Sequence, residues 1–513
     1  MFFKEVASTH RLIASERPRA RRVVPILVVV IVAVMIGGFV AFFPAGFSLR
    51  VLLPLVALSC VILSWAYRAQ QNDDLHSTSS VALIALVSLS VLWPRYLFVH
   101  KFGLPGVNPL TLMTMLCLGL CVCLLLFSTN ASARVGAVYR QGEMAATLVI
   151  TFFAWQLFAS AVGEEALYST IGQVKEFVYV GSFFLFGLYL SGFERGPQNV
   201  LRAFIFCGFI VALIAIYEGA VHRNPFVGFI QIADGSDSAM ALAGIAADKA
   251  RDGQFRAQST FDHPIVFAQF VAALIPLCFF AMRYERRWFW RVVAALAMPV
   301  AVVAIIKSGS RSGYVSLAVS LVAIGTVWWL RTLVHGRRLK PIAIMALPAL
   351  VLGMATAMVV VSELVAGRTR IEASSSNVRL KMLSDGVAAL WDSPIWGFGH
   401  GLALSKAGVV NPFGLATIDS YWLTIAIDYG YMGLLIFFAL IATFTWKGLV
   451  FSVKTQGREG AFVGACISSV LALFATFAAV SIYQNMTMMW LLMAISFPVW
   501  AGRQLDDRPI VRA

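Results

Sequence analysis

Charge is what this chain of 513 residues has least of. Asp, Glu, Lys and Arg make up 13% of it, against roughly 25% in soluble domains, and the mean hydropathy is +0.82. A soluble globular protein is thereby excluded, and the chain reads as an integral membrane protein. Strict apolar–polar alternation is also lacking. The apolar runs are long, continuous and built of Leu, Val, Ala, Ile and Phe, which favours helices over an outer-membrane barrel. No cleavable signal pattern is present, because about twenty polar and basic residues precede the first apolar run. None of the seven cysteines (Cys60, Cys117, Cys121, Cys123, Cys207, Cys278, Cys466) lies in a loop, so loop disulfides are excluded. Cys117, Cys121 and Cys123 have no neighbouring His, Asp or Glu to complete a metal shell and read as helix-packing residues. Internal inverted repeats, a Walker motif and a dinucleotide fingerprint are absent as well.

What is there is a series of spans. A hydrocarbon core of about 30 Å asks for about twenty apolar residues, which gives about fourteen spans, or twelve if the third merges with a neighbour. They fall near 23–43, 51–67, 80–95, 110–128, 145–163, 177–193, 199–218, 265–282, 288–306, 313–331, 342–365, 429–447, 461–480 and 486–501. Basic residues at the N-terminus, the RYERRW turn, the RTLVHGRRLK loop and the tail share one face, which the positive-inside rule makes cytoplasmic. The net charge of +15 then reports topology and implies no nucleic-acid partner. The organisation expected is a cytoplasmic basic tail (1–22), a helix bundle (23–366), a long periplasmic loop with an amphipathic helix (367–428), C-terminal spans (429–501) and a cytoplasmic tail (502–513). Hardly any acidic residue lies deep in a span on this reading. Glu218 and Glu363 sit near span ends.

Cytoplasmic connections are short and basic, whereas the outer ones hold Gly, Pro, His, Trp and single arginines, so function is sought outside. The loop from Gly367 to Tyr431 is too long for a simple connection. Leu380, Leu383, Val387, Leu390 and Trp391 recur in it at helical spacing after Ser376 or Asn377, and stop at Asp392, Ser393 and Pro394. Arg379 flanks that stripe, as an anchor at lipid headgroups or as a substrate ligand. The bend Gly397–Phe398–Gly399–His400–Gly401 lets a backbone approach a ligand or, more commonly, another helix. At the loop exit Asp419 either caps the next helix or accepts a proton from an attacking hydroxyl, with Tyr421 beside it. Arg311 stands in the short turn Ser308–Gly309–Ser310–Arg311–Ser312–Gly313, where small neighbours leave room for a guanidinium to grip phosphate. Arg256 and His263 close another outer loop before Pro264. Arg95 and Lys101 in an early outer loop either add positive charge to a shared cleft or anchor at the interface.

In order, FRAQSTFDHPIVFAQFVAALIPL, SGSRSGY, NVRLKMLSDGVAALWDSPIWGFGHG and IDSYWLTIAIDYGYMGLL resemble the O-antigen ligase and polymerase superfamily of bacterial envelope glycosyltransferases. They cover roughly Phe255 to Leu435. The resemblance implies an all-α, GT-C-like bundle in the inner membrane, acting at the periplasmic face without a metal ion or other cofactor. It would take a glycan from an undecaprenyl diphosphate carrier and pass it to an acceptor sugar hydroxyl. Arg311 and Arg379 would hold the diphosphate and Asp419 would be the base; the outer loops themselves offer Arg95, Lys101, Arg256, His263, His400 and Tyr421 as further substrate-binding candidates. The ligases carry His–Asn where this chain has Asp419–Ser420. That difference favours a polymerase of repeat units over a ligase, with a flippase for lipid-linked glycan as the reading from another class. A chain-length regulator and a flippase are the implied protein partners, besides the bilayer.

Overall fold

The computed structural model describes residues 73–94, 96–97, 108–193, 195–229, 255–335, 381–410, 416–478 and 483–500. Among these, nine helices are long and apolar enough to cross a membrane, and shorter apolar helices occupy Ser79–Leu92 and Met486–Phe497. The chain is a multi-pass, all-α membrane protein, as the composition requires. Expected spans at 23–43, 51–67 and 342–365 lie outside the described residues.

The chain divides into two compact units, residues 1–77 with 119–133, and residues 78–118 with 134–513. Of the smaller, the described parts are 73–77 and the helical residues 119–127 and 129–133. In chain order the helices are α1 (Asp73–Leu92), α2 (Pro109–Phe127), α3 (Thr129–Gln141), α4 (Glu143–Val162), α5 (Ala166–Glu176) continuing through a π turn into α6 (Ser182–Ser191), and α7 (Gly196–Val221). Then follow α8 (Pro264–Tyr284), α9 (Trp288–Ser308), α10 (Arg311–His335), α11 (residues 381–390), α12 (Ala403–Ala407), α13 (Tyr421–Lys454), α14 (Gly457–Thr476) and α15 (Met486–Trp500). Two-residue antiparallel strands, β1 (Val409–Val410) and β2 (Ala416–Thr417), close the tip of the long loop.

Local chemistry sets the helix ends of the larger unit. His263 caps α8 through Nδ1, which accepts from the Ile265 amide at 3.1 Å, and Pro264 occupies the first helical position. Gly309 in the left-handed region (φ 55°) ends α9, and the Ser310 hydroxyl accepts from the Gly313 amide to start α10. Water-driven burial is weak between helices in lipid, so close packing carries their association. Gly313 of α10 accordingly lies flush against Ala268 of α8. Helices α8 and α14 are buried over most of their length, whereas most residues of α10 are only partly buried.

Hydrogen bonds between helix ends show which loops share one end of the bundle. Thr260 donates to Val91 O at the end of α1, and Ala257 N to Lys307 O at the end of α9. Gln269 in the second turn of α8 reaches Thr476 O at the end of α14, and Tyr421 N at the start of α13 donates to Phe477 O. The starts of α8, α10 and α13 therefore lie together. At the other end Glu285 is gripped bidentately by Arg202 (2.8 and 3.1 Å), with Gln198 at 2.8 Å and Arg458 at 3.8 Å. Arg331 binds the carbonyls of Ser452, Thr455 and Gly457 there. This is the arginine-rich end that the loop charges foretold.

Candidate active site

The long loop folds on a core of its own. Met382 and Leu390 of α11, Phe398, Leu402, Ala403 and Ala407 pack with Ile418, Leu423, Ala426 and Ile427. Met382, Gly386 and Leu390 turn α11 toward this core, and Leu383, Val387 and Trp391 form an exposed apolar stripe about 100° round the helix from it. One helix thus presents apolar residues both inward and outward, which suits an interfacial helix. Arg379, two residues before the first described residue of α11, lies outside the described residues.

The glycine bend packs against a helix. Helix α13 breaks at Gly430, whose φ of 71° and ψ of 179° belong to a region essentially restricted to glycine. Carbonyls freed by the break are taken by the loop: Phe398 N donates to Ile427 O and Gly399 N to Asp428 O, each at 2.9 Å, while Trp155 Nε1 takes Tyr429 O at 2.9 Å. In return Tyr431 N donates to Pro394 O at 2.8 Å. Irregular backbone at this depth must be satisfied by protein, and here another backbone segment does it. The side chain of Asp428 completes the clamp by accepting from Gly401 N at 3.0 Å and Ala403 N at 2.7 Å.

Beneath the clamp is a cavity of about 310 Å³ whose lining includes Glu176, His400, Ile418, Tyr421, Thr424 and Asp428. His400 Nδ1 lies 2.8 Å from the Tyr429 hydroxyl and 3.3 Å from Glu176 Oε2. Tyr429 donates to Gln173 Oε1 at 2.7 Å, and Gln173 Nε2 to Gln156 Oε1 at 3.1 Å. With the Tyr429 proton committed to Gln173, His400 Nδ1–H is the donor to Tyr429, which leaves Nε2 as an acceptor. Tyr421 donates to Glu176 Oε1 at 3.4 Å. Burial outweighs the nearby carboxylate and lowers the His400 pKa to about 4. Since the ordinary value is about 6.5, the unfolded chain binds this proton first as pH falls, and stability drops. A loss of about 2 kcal/mol is expected between pH 7.5 and pH 5, with His400→Gln removing that part of the dependence. Unfolding temperatures of both proteins at the two pH values check it.

His400 and Tyr421, two of the expected substrate-binding residues, line one cavity. Asp419 is half-buried between Ile418 and Tyr421, and the cap of α13 is Ser420, whose Oγ accepts from Leu423 N at 3.3 Å. Arg256 and Arg311 meet around one turn: Arg256 Nε donates to Ser308 O at 3.2 Å, and α10 begins at Arg311. His263 caps α8 through Nδ1. Arg95 and Lys101 lie outside the described residues.

Three acidic residues that the sequence reading did not place among the site residues matter here. Glu176 falls within the helical run Ala166–Ser191 and Asp428 within Tyr421–Lys454, although the hydropathy runs start just after each. Polar Gln173, Glu176 and Asp428 set the starts of the hydropathy runs too late, yet each is helical and buried, with its side chain bonded to residues elsewhere in the chain. Acidic groups inside spans therefore do not separate this chain from a carrier; what does bear on it is that Asp428 is tied to loop amides and Glu176 to Tyr421 and His400. The third is Glu218, which accepts from the amides of Gln258 (3.1 Å) and Ser259 (2.6 Å) and from Asn224 Nδ2 (3.1 Å). It thereby holds the loop that carries Arg256, including Ser259 at φ 55°. Glu218→Ala leaves two buried amides unpaired and should cost about 3 kcal/mol, with Glu218→Gln milder; thermal unfolding of the purified variants measures it.

Among the described residues no three His, Cys, Asp or Glu side chains converge as metal ligands. Residues 300–438 match the family model described as O-antigen ligase. No curated protein matches the chain. The resemblance to the O-antigen ligase and polymerase superfamily therefore stands on a segment that begins in α9 and ends in α13, and includes Arg311, Arg379, His400 and Asp419. It points to a glycosyltransferase-like enzyme acting on lipid-linked glycans in a membrane setting.

Proposed function

We propose that this protein polymerises oligosaccharide repeat units carried on undecaprenyl diphosphate, at the periplasmic face of the inner membrane and with both termini cytoplasmic. The observation that carries the reading is the gathering of the starts of α8, α10 and α13 at the bundle end opposite the arginine-rich one. Arg256, Arg311, Asp419 and Tyr421 stand at those starts, and Arg311 and Asp419 fall inside the family match.

In the reaction an acceptor hydroxyl oxygen attacks the anomeric carbon of the donor sugar. The bond from that carbon to the diphosphate oxygen breaks, and its electron pair leaves with the diphosphate. Arg311 and Arg379 stabilise the charge that develops there. Asp419 takes the hydroxyl proton. A diphosphate is already a good leaving group, so two guanidiniums suffice and no metal-ion step is invoked.

In cells, Arg311→Ala or Arg379→Ala should yield folded protein and single repeat units retained on the lipid carrier. Normal long chains in both variants would overturn the reading. The family description favours one other outcome, transfer of finished polymer to an acceptor. Deletion would then leave long polymer, not single units, on the carrier.

A further inference from the structure

Asp419 is bracketed by Ile418 and Tyr421, and both neighbours line the cavity of about 310 Å³ beneath the loop clamp. The volume is at the lower end of small-ligand sites, which run from about 300 to 1,000 Å³; it suits a sugar ring and not a polyprenyl chain. Its walls offer two tyrosine rings, the Thr424 hydroxyl, two carboxylates and a neutral histidine, and among the described lining residues there is no Lys or Arg. Among these side chains a diphosphate would find no counter-charge. An uncharged, hydroxyl-rich ring would find acceptors, because each oxygen of Glu176 makes a single long contact, at 3.4 Å to Tyr421 and 3.3 Å to His400, and retains further lone-pair capacity.

We propose that this cavity is the subsite for the terminal, uncharged sugar of the acceptor glycan, and that Glu176 with Asp428 excludes acidic sugars from it. The assignment rests on the glycosyltransferase reading above. Asp428 acts here as a positioning residue, since both its oxygens hold the loop that forms the cavity wall. Glu176 faces the ligand directly.

The test is saturation-transfer NMR on the full-length protein in lipid nanodiscs, with glucose, N-acetylglucosamine and glucuronic acid as probes. Wild type should pass saturation to a neutral sugar and about tenfold less to glucuronic acid, given the cost of like charges in a shared site. Leu404→Trp, which adds bulk at a partly exposed wall position, and Thr424→Trp should each lose the neutral-sugar signal while eluting as wild type. Glu176→Gln should narrow the discrimination against glucuronic acid. No transfer to either neutral sugar, equal transfer in both Trp variants, or glucuronic acid binding as well as glucose would overturn the subsite. Polymerisation lost in Arg311→Ala but intact in Leu404→Trp would sink the subsite alone. Sugar binding lost in Leu404→Trp with polymerisation indifferent to Arg311→Ala would sink the catalytic reading alone.

Discussion

Gly430→Ala should remove folded protein from the membrane. A Cβ at Gly430 would lie 2.1 Å from Ile395 O, so neither backbone can stay where it is. The φ of 71° with ψ of 179° adds conformational cost for any L side chain. Gly397, the partner in the interlock at φ 73°, would place a Cβ 2.5 Å from Gly430 N, and Gly397→Ala should behave alike. Opening the clamp strands the carbonyls of Ile427 and Asp428 and the amide of Tyr431 in an apolar setting, at about 1–3 kcal/mol each, so a total above about 4 kcal/mol is expected. Gly136 in α3 has nothing within 4 Å of a built Cβ, and Gly136→Ala should be neutral or slightly stabilising. Size-exclusion profiles of fluorescently tagged variants measure the contrast: a monodisperse peak for Gly136→Ala and none for Gly430→Ala. A normal peak from Gly430→Ala would show that the broken helix is not what the loop is built on.

Arg311→Ala should lower the rate of polymer extension by about 10²–10³-fold, the effect of losing one preorganised donor to a developing anion. The protein should fold, because Arg311 is only half-buried and the cap of α10 is supplied by Ser310. Arg311→Lys keeps the charge but loses the planar fork, and should recover only a small part of the rate. Extension rates on purified protein, with elution volume as the folding control, separate the chemical role from a packing role. A packing role would shift unfolding temperature and rate together.

The bundle was legible because lipid imposes a simple rule, that runs of about twenty apolar residues become helices. Pro264 before an apolar run and Gly309 after one marked the ends of α8 and α9, and the arginines of the RYERRW turn marked the basic end. Span starts were less legible wherever a helix opens with polar residues. Gln173 and Glu176 look like loop in a hydropathy profile, yet they are helical because they bond to Tyr429, Tyr421 and Gln156 from elsewhere in the chain. The same holds for Asp428, whose partners are amides some 25 residues earlier. Long-range satisfaction of polar groups leaves no periodic trace. For the glycine bend, sequence supplied the reason for glycine, close approach, but not its object, which is another glycine 33 residues later in a broken helix.

The most direct measurement is extension of a purified, undecaprenyl-diphosphate-linked repeat unit by the protein in nanodiscs, followed by gel mobility of the glycan and release of undecaprenyl diphosphate. Wild type should give a ladder of chains with one carrier released per added unit, and Arg311→Ala should give neither ladder nor release. An undiminished ladder from Arg311→Ala, or lipid-linked glycan crossing the bilayer of sealed vesicles with no extension by the wild type, would contradict transfer at this end of the bundle.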